Sequence, residues 1–310
     1  MSNSQRIAYG ETLVDLGKDN SDIVVLEADL GKSTMGSLFE EAYPNRFFEM
    51  GIAESNMASA AAGLSLTGKI PFMASFAVFS TGRCYDQIRT NVCIPGLNVK
   101  ICGSSAGMSD FGDGSTHQSI DDMALMRVLP NMQVFSPVDA TETRKIVRYM
   151  AENQGPMYIR INRNDLPPLS NPDEDFVPGK VYTLREGTDV AIFATGVMVS
   201  RSLEAAEELS DLGISAKVVN VPSIKPLSSD DVIAAAKGIT HIVTAEEHSV
   251  FGGLGDAICA VLGSAELKKY SRVGVNDRFG TSAENYEVLL EEYGLNAAAV
   301  KSAVSELLGK

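Results

Sequence analysis

One carboxylate, Glu54, stands at the start of a stretch that otherwise contains mostly small and apolar residues. Residues 54–66 are almost wholly Ala, Ser, Gly, Met and Leu, a composition that predicts a buried helix. A buried carboxylate costs free energy unless a partner compensates for the loss of water. The ordinary structural explanation is that an acid in the first turn interacts favourably with the helix dipole. We interpret Glu54 instead as an acid/base group that serves a bound heterocycle.

The segment Gly-Asp-Gly-Ser-Thr-His-Gln at 112–118 is the second chemical candidate, because its glycine-rich loop presents Asp113 and His117. The chain has only 3 histidines, which favours a catalytic or substrate-binding role for His117 over a helix-capping one and argues against a His-rich metal site. Gly-Asp-Gly also opens one type of Mg²⁺ motif, but the asparagine pair required about thirty residues later is missing near Ala140. We therefore predict no metal ligands in this chain.

The composition is that of a globular protein with room for two domains, at 310 residues, 45% hydrophobic and 21% charged. A net charge of −14 argues against nucleic acid and anionic membranes as partners. There is no run of about 18 apolar residues and no apolar N-terminal segment, so we expect neither a transmembrane helix nor a signal peptide. The cysteines lack C-x-x-C spacing, which predicts reduced core residues in a cytoplasmic protein; they are Cys84, Cys93, Cys102 and Cys259.

Apolar strand-like runs alternate with helical patterns along the chain, which predicts an α/β fold of two consecutive open, mostly parallel sheets, each covered by helices. A proline-rich, acidic segment at 166–180 predicts a linker between a first domain at 1–165 and a second at 181–310. Predicted strands are 23–26, 47–50, 70–76, 99–104, 133–136, 157–161, 190–194, 216–221, 241–245 and 272–275. Predicted helices are 6–18, 54–66, 82–92, 122–128, 140–152, 199–212, 229–237, 253–262, 285–293 and 296–308.

Two further patterns bear on whether the chain binds an anionic group such as a phosphate. The polar loop 27–34 follows the first strand, at the sheet edge where open α/β folds bind ligands. Basic side chains at strand ends could gather there to hold a phosphate, although each alone is ordinarily a solvated charge; they are Arg6, Lys32, Arg160 and Arg163. The segment Gly-Gly-Leu-Gly at 252–255 opens a helix after a strand, but two glutamates precede it, so we interpret it as a packing turn.

Several of these stretches together resemble the C-terminal half of transketolase. They are Gly-Ile-Ala-Glu-Ser-Asn-Met, Ala-Ser-Phe-Ala-Val-Phe, Gly-Asp-Gly-Ser-Thr-His-Gln, Leu-Pro-Asn-Met and Ile-Lys-Pro-Leu, in the family's order and at similar spacing. The resemblance runs from about residue 6 to residue 308 and implies a pyrimidine-binding domain followed by a transketolase C-terminal domain. The chain is similar to the separate C-terminal subunit of split transketolases.

That resemblance implies a transferase active only with a partner. It would move a two-carbon ketol unit between sugar phosphates of the pentose phosphate type. The cofactor is thiamine diphosphate, shared with an N-terminal subunit that binds the diphosphate and Mg²⁺ or Ca²⁺. The expected assembly is an α2β2 heterotetramer in the cytoplasm, with self-association through the C-terminal domain.

The resemblance also assigns roles to single residues. Glu54 matches the glutamate that hydrogen-bonds N1′ of the aminopyrimidine, and a buried acid can share its proton with that nitrogen. His117 is the second catalytic candidate, and with Asp113 it matches groups that bind sugar hydroxyls. The other cofactor-binding candidates are Phe76, Phe79, Asp29 and Ile52, and the other substrate-binding candidates, for a terminal phosphate, are Arg163, Ser33 and Arg6.

Two positions depart from the family pattern. Ser105 stands where many transketolases carry a second histidine that contacts the donor sugar, and the third pocket aromatic is missing near Gly82. Three alternatives stay open from the sequence: the β subunit of a 2-oxo-acid dehydrogenase, a related thiamine-dependent synthase, and a non-catalytic regulatory partner. The His117 loop and the arginines favour the sugar interpretation over the first of these.

Overall fold

A computed structural model describes residues 3–264 and 268–310 and shows two α/β halves. Met1, Ser2 and residues 265–267 lie outside the described residues. The predicted domain at 1–165, with its N-terminal segment, and the predicted domain at 181–310 include these positions, and those parts of the predictions lie outside the described residues too. The first half contains α1 (Gln5–Asp19), β1 (Ile23–Glu27), α2 (Gly31–Thr34), α3 (Ser37–Ala42), β2 (Phe47–Glu49), α4 (Glu54–Leu66), β3 (Ile70–Phe76), α5 (Tyr85–Gln87), β4 (Lys100–Ser104), α6 (Asp122–Val128), β5 (Gln133–Phe135), α7 (Ala140–Glu152) and β6 (Met157–Arg160). The second contains β7 (Tyr182–Arg185), β8 (Val190–Ala194), α8 (Met198–Asp211), β9 (Ala216–Asn220), β10 (Ser223–Lys225), α9 (Ser229–Ala235), β11 (His241–Ser249), α10 (Leu254–Leu262), β12 (Lys269–Val275), α11 (Tyr286–Glu292) and α12 (Ala297–Leu308).

The first sheet has seven strands in the order β10-β5-β6-β4-β3-β1-β2. All neighbours are parallel except β10, which pairs antiparallel with β5 at the edge. Its strands β1 and β4 are buried along their whole length, as is typical of parallel strands that are covered on both faces. Strand β10 belongs to the second half of the chain but pairs with the first sheet. The predicted division into two consecutive sheets therefore does not hold for this strand.

The second sheet has five strands in the order β12-β11-β8-β9-β7, parallel except for the edge strand β7. The α/β class and the mostly parallel sheets are therefore confirmed. The turn at 252–255 packs β11 against α10, and Glu246 accepts hydrogen bonds from the backbone of Leu254 and Gly255 at 2.7 and 2.8 Å. Because this carboxylate already occupies the helix N-terminus, the packing interpretation of the glycines is confirmed.

Three local expectations differ from the structure. The segment predicted as one helix at 82–92 consists of π-helical turns at Phe79–Arg83 and Ile88–Cys93 around the short α5. Helix α4 is not buried on all sides, since Asn56 and Gly63 are exposed and Leu66 is 73% exposed. The short elements α2, α3, β7 and β10 were not predicted, because periodicity over three to six residues is too brief to recognise. No helix in the described part of the chain is long and apolar enough to cross a membrane.

Candidate active site

Glu54 is the first residue of α4 and lies at the edge where the parallel strands of the first sheet end. It is 4% exposed, which confirms the predicted burial. Its Oε1 accepts a hydrogen bond from Nη1 of Arg83 at 2.8 Å, and the Arg83 side chain is half-exposed. The compensating partner of the buried carboxylate is therefore an arginine that reaches in from solvent.

Two phenylalanines and a histidine form an aromatic cluster beside this ion pair. Phe76 ends β3, and its ring lies 6.1 Å from the nearly parallel ring of Phe79. His117 meets both rings edge-on, at 6.2 Å from Phe76 and 5.1 Å from Phe79. The Arg83 guanidinium carbon lies 4.0 Å from the Phe79 centroid and so joins the cluster to Glu54. The structure thus brings together four residues that the sequence singled out far apart along the chain.

The phosphate candidates extend the same edge of the sheet. Arg163 lies 5.8 Å from the Phe76 ring and donates to Asp110 at 2.7 Å. Arg6 donates to the Arg163 carbonyl at 3.1 Å and to the Ser33 carbonyl at 2.7 Å. Burial and the charge of Arg163 lower the pKa of Arg6. Burial raises the pKa of Asp110, although Arg163 opposes this shift.

Arg160 does not belong to this group, contrary to the sequence expectation. It is buried and donates to both carboxylate oxygens of Asp122, at 2.8 and 3.1 Å. Tyr158 donates to the same carboxylate at 2.7 Å. Lys32 is exposed on α2. The arginines that gather at this edge are therefore Arg6 and Arg163, because Arg160 is already neutralised.

Asp29, Ile52 and Asp113 lie at the rim. Asp29 has a left-handed backbone (φ 61°), and its amide donates to Glu49 at 2.8 Å, as does the amide of Gly51. Glu49 therefore ties the loop after β1 to the turn that precedes Glu54. Ile52 is 73% exposed, and Asp113 is exposed close to Asp110.

The structure shows what surrounds Ser105 and Gly82, the two positions that depart from the family pattern. Ser105 is buried with φ 52°, and its hydroxyl is among the buried side-chain oxygens that lack a partner in the described structure. The buried hydroxyls of Ser75 and Ser104, at the ends of β3 and β4, also lack a hydrogen-bond partner among the described residues. A side chain added at Gly82 would meet no atom within 4 Å. No described atom therefore crowds the first carbon of a side chain at this position.

Sequence reasoning missed Arg83 and Asp110. Arg83 follows Phe79 by four residues, and that spacing in a helical segment places a guanidinium over a ring. The predicted helix at 82–92 begins after Phe79, so the sequence pattern did not place the two residues in one helical segment, whereas the structure does. Asp110 carried no signal, because its partner Arg163 is 53 residues away in the chain.

The arrangement fits a flat heteroaromatic ring with a basic nitrogen. Stacked phenylalanines supply an apolar wall, and a buried carboxylate supplies a hydrogen-bond and proton partner. Beyond His117, two arginines offer donors for an anionic group. Within residues 3–264 and 268–310, no cluster of three or more His, Cys, Asp or Glu could hold a metal ion.

Comparison with known proteins gives the same picture. The family model "Transketolase, pyrimidine binding domain" matches residues 3–168, and "Transketolase, C-terminal domain" matches residues 179–300. A putative transketolase C-terminal section of Methanocaldococcus jannaschii is 43% identical, over 98% of this chain and 96% of the relative. The 6-deoxy-6-sulfo-D-fructose transketolase subunit SqwH of a Clostridium species is 39% identical, over 97% and 94%.

A solved structure of a split-gene transketolase, described as an inactive β4 tetramer, superimposes with a TM-score of 0.90. It is 48% identical and covers 100% of this chain and 99% of its own. The family models, the relatives and the superposition agree over both halves of the chain. The chain therefore belongs to the transketolase family and carries that family's pyrimidine-binding domain followed by its C-terminal domain.

Proposed function

We propose that this chain is the C-terminal subunit of a split transketolase that uses thiamine diphosphate to move a two-carbon ketol unit between sugar phosphates. The observation that carries the proposal is the buried Glu54 next to the stacked Phe76 and Phe79, with His117 against both rings. This constellation suits the aminopyrimidine and leaves the rest of the cofactor to another polypeptide.

Glu54 is the catalytic acid/base of the proposal. Its carboxyl group would donate a hydrogen bond to N1′ of the bound aminopyrimidine and would exchange the proton with that atom. Phe76 and Phe79 hold the ring and exclude water from the Glu54 carboxylate, which strengthens the hydrogen bond. Asp29 and Ile52 border the ring at the contact with the partner. The bound cofactor supplies a carbanion equivalent and an electron sink, which no protein side chain provides.

His117 and the arginines act on the sugar phosphates. His117 lies beside the aromatic wall, where its free ring nitrogen can bind a sugar hydroxyl and move its proton, since Nδ1 pairs with Thr116 at 2.9 Å. Asp113 binds a further hydroxyl. Arg163, Ser33 and Arg6 receive the terminal phosphate, which competes with Asp110 for Arg163.

The N-terminal partner subunit holds the diphosphate and its Mg²⁺ or Ca²⁺. Support comes from two relatives of nearly the same length, one described as a C-terminal section and the other as a transketolase subunit. The superimposed β4 tetramer is described as inactive, which favours an enzyme that needs a second chain. We propose an α2β2 heterotetramer in the cytoplasm with contacts between the C-terminal domains; the four free cysteines favour that compartment.

The test is reconstitution with a co-expressed partner that carries Gly-Asp-Gly and a downstream asparagine, with thiamine diphosphate and Mg²⁺. Transfer from xylulose 5-phosphate to ribose 5-phosphate is measured first, followed by a panel of other ketose phosphates, including the sulfo-sugar type of one relative. We expect transfer by the complex and none by either chain alone. Ketol transfer by this chain in isolation would refute the two-subunit assignment.

Glu54→Gln tests the mechanism in the same complex. We expect kcat to fall about 10²- to 10⁴-fold, because the amide cannot exchange the proton. Glu41→Gln makes the same chemical change at an exposed site and serves as the control. Full turnover by Glu54→Gln would exclude Glu54 as the acid/base group.

A further inference from the structure

Arg83 lies across the pocket formed by Glu54, Phe76 and Phe79. Its Nη1 is 2.8 Å from Glu54 Oε1, and its guanidinium carbon is 4.0 Å from the centroid of the Phe79 ring. These are two of the groups that the aminopyrimidine needs, the first for its N1′ hydrogen bond and the second for stacking. Arg83 and the cofactor ring therefore compete for the same two partners.

The competition at Phe79 follows from the space around its ring. Aromatic rings stack with their centroids about 4.5–7 Å apart. Phe76 and His117 already contact the ring of Phe79 at 6.1 and 5.1 Å. The guanidinium at 4.0 Å covers a face of Phe79 on which a further ring would stack.

The backbone of Arg83 is held by α4, whereas its side chain is half-exposed to solvent. Ser55 donates to the Arg83 carbonyl at 2.8 Å and so anchors the segment to α4. The side chain of Arg83 is 50% exposed, whereas that of Glu54 is 5% exposed. A Cβ added at the neighbouring Gly82 would meet nothing within 4 Å, so the backbone next to Arg83 is open on that side.

We propose that Arg83 is a displaceable plug of the aminopyrimidine pocket. In the free subunit it pairs with Glu54 and covers Phe79, and binding of the aminopyrimidine moves its guanidinium out into solvent. This inference rests on the proposed function and adds to it a residue that lowers cofactor affinity. Its benefit is that the buried carboxylate keeps a partner before the cofactor arrives.

Cofactor affinity is the direct test. The dissociation constant of thiamine diphosphate is measured by calorimetry on the assembled complex with Mg²⁺, for wild type, Arg83→Gln and Arg83→Met. We expect both variants to bind roughly fivefold to thirtyfold more tightly, because one ion pair and one cation–π contact no longer have to be broken. The control is Arg89→Gln, a change at an exposed arginine six residues further on, which should leave the constant unchanged.

A second measurement needs no cofactor. Thermal unfolding of the isolated chain is compared for wild type, Glu54→Gln, Arg83→Gln and the double variant. We expect the two single changes to be non-additive, since either one breaks the same ion pair. Additive shifts would overturn the proposal, because they would show that the Arg83–Glu54 ion pair contributes no interaction energy for the cofactor to replace.

The outcomes separate this inference from the function on which it rests. If the wild-type complex binds no thiamine diphosphate, the proposed function and the plug are both refuted. If the wild type binds it and the Arg83 variants bind equally or less tightly, only the plug is refuted. In that case Arg83 is a permanent part of the site.

Discussion

Two further buried carboxyl groups, Glu142 and Glu247, have pKa values well above the ordinary range of a glutamate. Burial raises the pKa of Glu142 from 4.5 to about 8, and the adjacent negative charge of Asp139 adds to this shift. Burial likewise raises the pKa of Glu247 to about 7, although Arg160 and the hydroxyl of Tyr286 oppose it. Both groups favour the neutral form because water that would solvate the charge is excluded.

Glu142→Gln should make stability less dependent on pH. Since the folded pKa exceeds the unfolded one, the neutral carboxyl contributes stability below about pH 4.5 that is lost as the pH rises through about 8. The wild-type free energy of unfolding should therefore fall between pH 5 and 8 by up to about 1.4 kcal/mol per unit from this group. The amide does not titrate, so urea unfolding at pH 5, 6, 7 and 8 should show a shallower decline.

Glu152→Gln is the matched control for this prediction, because Glu152 is exposed at the end of the same helix. Its pH profile should follow that of the wild type. Parallel profiles for Glu142→Gln and wild type would show that Glu142 does not titrate in this range.

At the scale of elements, Asp139 holds the start of α7 and the linker together. Its Oδ1 accepts from the backbone of Glu142 at 2.8 Å, which caps the helix. Its Oδ2 accepts from the amides of Leu169 and Ser170, both at 2.7 Å, and the Ser170 hydroxyl adds a further bond to Oδ1. One side chain thus fixes part of the segment that the sequence predicts only as a linker.

Asp139→Ala should destabilise the protein by about 2–4 kcal/mol, because it removes a helix cap and leaves the linker amides unpaired. Urea unfolding measures the loss, and limited proteolysis should cut the 166–180 segment faster. The control Ser228→Ala removes a cap with one amide partner, at 3.2 Å, and should cost only about 1 kcal/mol. Equal losses would mean that Asp139 acts as a cap alone.

The predicted bounds agree with the structure at several elements of seven to thirteen residues, whereas the short elements α2, α3, β7 and β10 were missed. The bounds of α4, β3, α6 and α7 are as predicted, because each has a clear apolar pattern and a definite start. Strand β10 was missed because three residues carry no periodicity and their partner β5 is about 90 residues earlier. Such pairing depends on how the two halves dock, which local patterns do not encode.

At the scale of the whole molecule, the second half of the chain supports the loop that carries the substrate candidates. Glu247 accepts from the backbone of Met108 at 2.8 Å, and a side chain at Gly107 would lie 2.4 Å from its carboxyl carbon. Tyr286 donates to Glu247 at 2.8 Å and accepts from Asn162 at 2.7 Å. The loop before Asp113 is therefore positioned by groups from β11 and α11.

Tyr286→Phe should cost about 1–3 kcal/mol, since it leaves buried polar groups of both halves short of a partner. Urea unfolding measures this cost, and hydrogen exchange at residues 107–110 should become faster. The control is Tyr270→Phe, because the Tyr270 hydroxyl has no hydrogen-bond partner in the described part of the chain and its loss should be neutral or stabilising. A larger cost at Tyr270 than at Tyr286 would contradict this account.

The sequence by itself determined the fold class and singled out Glu54, Phe76, Phe79 and His117. These follow from local composition, from the alternation of strands and helices, and from motifs that keep their order in the family. Only the tertiary structure decided which side chains meet. Arg83 pairs with Glu54, which lies 29 positions earlier in the chain. Arg160 pairs with Asp122, 38 positions earlier, instead of joining the phosphate candidates. Such contacts depend on how strand ends converge at one edge of a sheet. Because a buried unpaired charge costs free energy, each buried charged group then pairs with the oppositely charged group that the fold brings near it.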